Sequence, residues 1–137
     1  MIVADTGAVY ALVDARDRHH RGLRRLFEAD PEAWVLPWAV LPEVDYLLGK
    51  RLGQKVEEDF LEDLAEGRFS VAWGDERDLR EARQICRRYE ALKLGLVDAI
   101  VMAVAERLKA GAIATLDVRD FGAVKLKGSP KLYPRDL

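Results

Sequence analysis

The sequence has a single cysteine, Cys86, so an internal disulfide framework is excluded, and one lone thiol suits a reducing cytoplasm. It has no long hydrophobic run. Its longest charge-free apolar stretch of helical character, Ala99–Ala105, falls far short of the ~20 residues that span a bilayer. No basic region precedes an apolar core at the N-terminus, and Asp5 interrupts the first hydrophobic residues, so a signal peptide is not expected. Neither sign of charge dominates. With 22 Lys and Arg against 24 Asp and Glu, any binding of nucleic acid must come from a local basic patch. Repeats, low-complexity tracts and Pro/Ser-rich linkers are absent, and 137 residues is an ordinary size for one domain, so residues 1–137 are expected to form a single unit.

Short apolar or β-branched runs alternate with longer segments of helical period. This is the pattern of an α/β domain with a mainly parallel central sheet of four to five strands flanked by helices. Strands are expected at Ile2–Ala4, Trp34–Leu36, Phe69–Ala72 and Ala112–Thr115, with a short edge strand near Lys131–Tyr133. Helices are expected at Gly7–Val13, Arg18–Glu28, from Pro42 through Leu48, Gln54–Glu66, Asp75–Tyr89 and Leu96–Lys109. Pro42 suits a first helical turn, and Gly67 suits the position just past a helix end.

In an open parallel sheet, ligands bind beyond the carboxyl ends of the strands. Asp5 ends the first strand and Asp117 follows the fourth, although Asp at such positions also caps helices and closes Asx-turns. Asp98 is harder to assign to a cap. It is the only charge in LGLVDAIVMAVA, and its helical neighbours Leu94, Val101, Met102 and Ala105 are all apolar. A helix dipole contributes only ~0.3–1 kcal/mol to a first-turn carboxylate, so a buried cation, or an arginine in its place, is the better account. Glu43 and Asp45 in VLPEVDYLL lie about 200° apart around a helix, so only one can face a common site, and periodicity alone does not choose between them.

Asp5-Thr6 at the end of the first strand, Glu43 early in a later helix, Asp98 in DAIVMAVA and the segment TLDVRDF together resemble the PIN domain. More narrowly, they resemble the VapC-type toxin ribonucleases of toxin–antitoxin pairs. The likeness covers nearly the whole chain. It departs from the family pattern at Gly7, where a second small hydroxyl residue is common, and it places Trp38 and Pro42 beside Glu43. The resemblance implies a divalent-metal site of Asp5, Glu43, Asp98 and Asp117, supported by Thr6 and Thr115, with Asp120 as a supporting or alternate ligand. It also implies an RNA substrate, a cognate antitoxin and a homodimer.

Four converging carboxylates carry a charge of about −4 and repel one another by several kcal/mol unless cations join them. All-oxygen ligands suit Mg²⁺ or Mn²⁺, as one ion or two, and a metal pair ~3.5–4 Å apart serves in-line phosphodiester hydrolysis. A polyanionic substrate also needs cations of the protein. Arg16, Arg18, Arg21, Arg24 and Arg25 on the expected second helix, with Arg119, Lys125 and Lys127, are candidates. His19 and His20 point about 100° apart and have no partner for general-base work. Trp34, Trp38 and Trp73 are available for base stacking or for packing, and Cys86 reads as a packing residue. The alternatives are weaker. A phosphatase of the haloacid-dehalogenase type needs an acid where Gly7 stands, and an aspartic protease needs an all-β setting for its DTG. A non-catalytic RNA-binding or protein-interaction module on the same fold is the remaining contender.

Overall fold

In the computed structural model, which describes residues 1–137, five strands alternate with seven α-helices. The strands are β1 (Ile2–Ala4), β2 (Trp34–Pro37), β3 (Ser70–Ala72), β4 (Ala112–Ala114) and β5 (Lys131–Tyr133). The helices are α1 (Thr6–Val13), α2 (His20–Ala29), α3 (Val40–Leu52), α4 (Gln54–Ala65), α5 (Glu76–Arg88), α6 (Leu96–Arg107) and α7 (Val118–Ala123). The sheet runs β3-β2-β1-β4-β5, and every pairing is parallel. All five carboxyl ends therefore lie along one edge. From β1 the chain moves to β2 and β3 on one side, then returns to β4 and β5 on the other, so its direction of winding reverses between β1 and β4. That reversal opens a crevice beyond the ends of the two central strands.

The expected elements are present, most with ends shifted by a residue or two and α3 running on to Leu52, and two departures have clear causes. Arg16 and Arg18 precede α2 rather than opening it. The side chains of Asp14 and Asp17 accept the backbone N–H groups of Arg16 and His19 at 3.0 and 2.8 Å, closing turns that hold this segment out of the helix. The second departure is α7, which the sequence reading lacks. At six residues, one of them Gly122, it is too short for helical periodicity to register. Gly67 does stand past the end of α4, at φ +74°, where a left-handed residue lets the last carbonyls of the helix be satisfied.

Helix α6 is buried all round from Ala99 to Ala105 and packs on β1 and β2, which explains its lack of an amphipathic stripe. Helix α5 runs antiparallel to it. Asp78, 1% exposed in the first turn of α5, accepts two hydrogen bonds from Arg107 in the last turn of α6, at 2.7 and 3.0 Å. The same carboxylate accepts the Asp75 N–H at 3.0 Å, completing a capping box. Asp78 is the buried member of this pair and Arg107 the partly exposed one, so removing Arg107 strands a carboxylate away from water. Arg107→Ala is accordingly expected to cost about 3 kcal/mol in urea unfolding, and Asp78→Ala with Arg107→Ala less than the sum of the two single changes.

Candidate active site

Asp5 follows β1 directly, and Ala4 pairs with Ala114, so Asp5 and Thr115 emerge side by side; the Asp5 N–H donates to the Ala114 carbonyl at 3.0 Å. One carboxylate oxygen of Asp5 accepts the Ala8 N–H at 2.8 Å and caps α1. The other accepts the hydroxyl of Thr115. Asp5 is thus buried, with both oxygens oriented by the first turn of α1 and the end of β4. Glycine is not required for the turn into α1: Gly7 has helical backbone, and a Cβ there would meet Asp5 Oδ1 at an ordinary 3.8 Å.

The Thr115 hydroxyl has a second role, accepting the Asp117 N–H at 3.0 Å. Asp117 in turn caps α7 through the Asp120 N–H, also at 3.0 Å. Both Asp5 and Asp117 are therefore helix caps that also stand among other acids: one oxygen of Asp117 and both oxygens of Asp5 accept hydrogen bonds. Asp98, in the first turn of α6, completes the centre. Carboxylate oxygens of Asp98, Asp117 and Asp120 lie within 4.8 Å of one another. Asp117 and Asp120 both belong to this group, a pairing signalled by their spacing of three across the start of a helix.

Glu43 reaches the same edge from α3. Its Oε1 accepts the Thr6 hydroxyl at 2.6 Å, which ties the first turn of α3 to that of α1. Asp45 points elsewhere, toward Glu57 of α4, whose carboxyl is pushed up by sharing a hydrogen bond with it. Asp5 and Glu43 thus flank the tight group of three acids without joining it.

Burial pushes the Asp5 carboxyl up from 3.8 to about 7, against the lowering bonds from Thr115 and Ala8 and with the help of the Asp98 and Asp117 charges. Burial likewise raises Asp98 to about 6, reinforced by Asp117, Asp120 and Glu43. The five acids therefore share one field. Such an all-carboxylate donor set fits a hard divalent cation and does not suit Zn²⁺.

The basic candidates divide by location. Arg119 is exposed in the first turn of α7 between Asp117 and Asp120, and Lys125 lies just beyond that helix. Arg24 of α2 lines a cavity with Leu12, Val13, Phe27 and Phe69, at the far end of α1 from Asp5, and Arg21 and Arg25 are exposed on the same helix. Arg18 is exposed in the turn before α2, beside His19. The histidines are not at the acidic centre, His20 being bonded to the Ala11 carbonyl. Trp34 is fully buried, Trp38 rests on Gly74, where a Cβ would come within 2.2 Å of its indole nitrogen, and Trp73 is 75% exposed.

The sequence profile of the PIN domain matches residues 2–126. Ribonuclease VapC26 of Mycobacterium tuberculosis (strain ATCC 25618 / H37Rv) is 30% identical over 124 residues, covering 90% of this chain and 92% of that protein. Among solved structures, Mycobacterium tuberculosis VapC20, a Sarcin-Ricin loop cleaving toxin, superposes with a TM-score of 0.81 at 23% identity, over 93% of this chain and 98% of that one. A toxin–antitoxin complex from Klebsiella pneumoniae contains a chain that superposes with a TM-score of 0.71 at 20% identity, over 90% and 92% of the two chains.

The raised carboxyls make the metal-free fold sensitive to pH. Between about pH 4 and pH 7 the folded state holds protons at Asp5 and Asp98 that the unfolded chain has lost, so these two groups withdraw stability as pH rises. With cations chelated, unfolding measured at pH 5 and pH 8 should show a loss larger by about 2 kcal/mol in the parent than in Asp5→Asn. Mn²⁺ added at pH 8 should restore more stability to the parent than to that variant.

Proposed function

The chain belongs to the PIN domain family, and from that premise we propose that it is an endoribonuclease that hydrolyses RNA phosphodiester bonds with Mg²⁺ or Mn²⁺. The observation that carries the reading is the convergence of Asp98, Asp117 and Asp120 within 4.8 Å at the crevice, with Asp5 and Glu43 beside them. One ion or two held there would supply a Lewis acid that activates a water and offsets the charge of the scissile phosphate.

The protein's own residues prepare that site. Thr115 and the Ala8 N–H orient Asp5, and Thr6 fixes Glu43. The cap bond from Asp120 fixes Asp117, so three of the acids meet a cation without first losing rotamer freedom. Thr115 links the Asp5 carboxylate to the Asp117 backbone through one hydroxyl, so the end of β1 and the start of α7 are held in one arrangement. Arg119 and Lys125, exposed beside the centre, serve as contacts to the RNA backbone, and Arg18, Arg21 and Arg25 form a separate exposed basic surface at α2 for a more distant part of the strand.

The biological setting follows the relatives. Residues 1–137 act as one nuclease domain and as the toxin of a toxin–antitoxin pair, in a homodimer that a cognate antitoxin restrains in the cytoplasm. The names of VapC26 and VapC20 and the Klebsiella complex support this reading. No helix is long and apolar enough to cross a membrane. A non-catalytic binding module is disfavoured by Asp5 and Asp98: their burial beside other acids costs stability, and binding alone does not require it.

Purified protein should cleave single-stranded or loop RNA with Mg²⁺ or Mn²⁺ and fall silent in excess EDTA. Asp98→Asn should slow cleavage by about a hundredfold or more while circular dichroism stays unchanged. Full activity in EDTA, or in that variant, would refute the metal-nuclease reading.

A further inference from the structure

An acidic centre repels the strand it cuts, so the RNA must be held by cations close by. The antiparallel packing of α5 on α6 places such a pair. The Asp78–Arg107 bond joins the start of α5 to the end of α6. At the opposite end, Cys86 in α5 donates through Sγ to the Leu94 carbonyl at 3.7 Å, two residues before α6 begins. The last turns of α5 therefore lie beside the first turn of α6, which carries Asp98.

In those turns Arg83 and Arg87, one helical turn apart, line a surface groove of about 420 Å³ with Cys86 and Glu90. Both arginines are exposed, and neither takes part in an ion pair. Toward the start of the helix the situation is different, since Arg77 is matched by Asp75 and Arg80 by Glu76. The helix dipole accounts for a cation in the last turn, but not for Arg83 a turn earlier, nor for the concavity that the two guanidinium groups share. The end of α5 also reaches the other side of the acidic centre. Tyr89, two residues past Arg87, accepts the Lys125 N–H through its hydroxyl at 3.0 Å, which joins the end of α5 to the segment leaving α7 with Asp117 and Asp120.

We propose that the Arg83–Arg87 groove binds backbone phosphates of the RNA strand next to the scissile phosphate, continuing the contacts of Arg119 and Lys125. The proposal rests on the ribonuclease reading above. Guanidinium groups pair bidentately with phosphate, and two unpaired ones a turn apart suit a flexible single strand that can bend into a concavity.

The test uses the full chain with Asp98→Asn, so that bound RNA is not cut, and a fluorescent single-stranded RNA of mixed sequence titrated across a range of salt. Adding Arg83→Ala and Arg87→Ala should weaken binding about tenfold and lower the slope of log K against log salt by about 1.4, at 0.7 per phosphate contact. Replacing both arginines by lysine should keep most of the slope. The unfolding midpoint should not move, nor should Mn²⁺ affinity when the two arginine changes are made with Asp98 intact, which separates a lost RNA contact from damage to the fold. An unchanged slope in the double alanine variant overturns the proposal. So does an unchanged slope accompanied by loss of a co-expressed antitoxin or a change in oligomeric mass, which would make the groove a protein contact. If the Asp98→Asn protein binds no RNA at all, the ribonuclease reading itself fails and the groove assignment fails with it.

Discussion

The hydroxyl of Thr115, donated to a buried Asp5, ties the two central strands to the first helix, and the site is arranged around it. One oxygen of Asp5 belongs to the helix, through the Ala8 N–H, and the other belongs to β4, through Thr115. The carboxyl therefore cannot turn without breaking a cap or a cross-strand contact, and each is costly in a buried place. Thr115 then passes the constraint on by accepting the N–H of Asp117, the residue that starts α7.

Parallel strands supply the rest of the arrangement. Since all five point the same way, the residues after β1 and β4 and the starts of α3 and α6 meet on one edge: Asp5 after β1, Asp117 and Asp120 after β4, Glu43 on α3 and Asp98 on α6. The gathering is electrostatically unfavourable. Burial, reinforced by neighbouring charges, raises Asp5 to about 7 and Asp98 to about 6, so without cations these two carboxyls hold their protons well above the ordinary carboxylate range. The stabilisation that opposes this comes from elsewhere, from the apolar α6 packed on the sheet and from the Asp78–Arg107 pair on its outer side.

Much of this was legible in the residues alone. A lone carboxylate among Leu94, Val101, Met102 and Ala105 marked out Asp98, because apolar neighbours provide no partner for its charge, and the structure sets it with Asp117 and Asp120. Strands and helices were readable from alternation and period, and Asp5 and Asp117 from their places at strand ends. The exact start of α2 was not, since Asp14 and Asp17 divert the backbone into turns by side-chain bonds that leave no periodic trace. Nor was α7, whose single cap and short length fall below what hydrophobic patterning registers. The choice between Glu43 and Asp45 depended on which face of α3 met α1 and which met α4.

Local sequence therefore determined the elements, the α/β class and the identities of the acids, since propensity, period and isolated charge are properties of neighbouring residues. Only tertiary structure decided that Asp117 and Asp120 both join Asp98, that Asp5 is held by a threonine 110 positions away, and that the α2 arginines flank the far end of α1. It also decided that Arg83 and Arg87 stand next to the helix carrying Asp98. Those outcomes rest on strand order, register and helix packing, and such long-range geometry has no signature in a short window of residues.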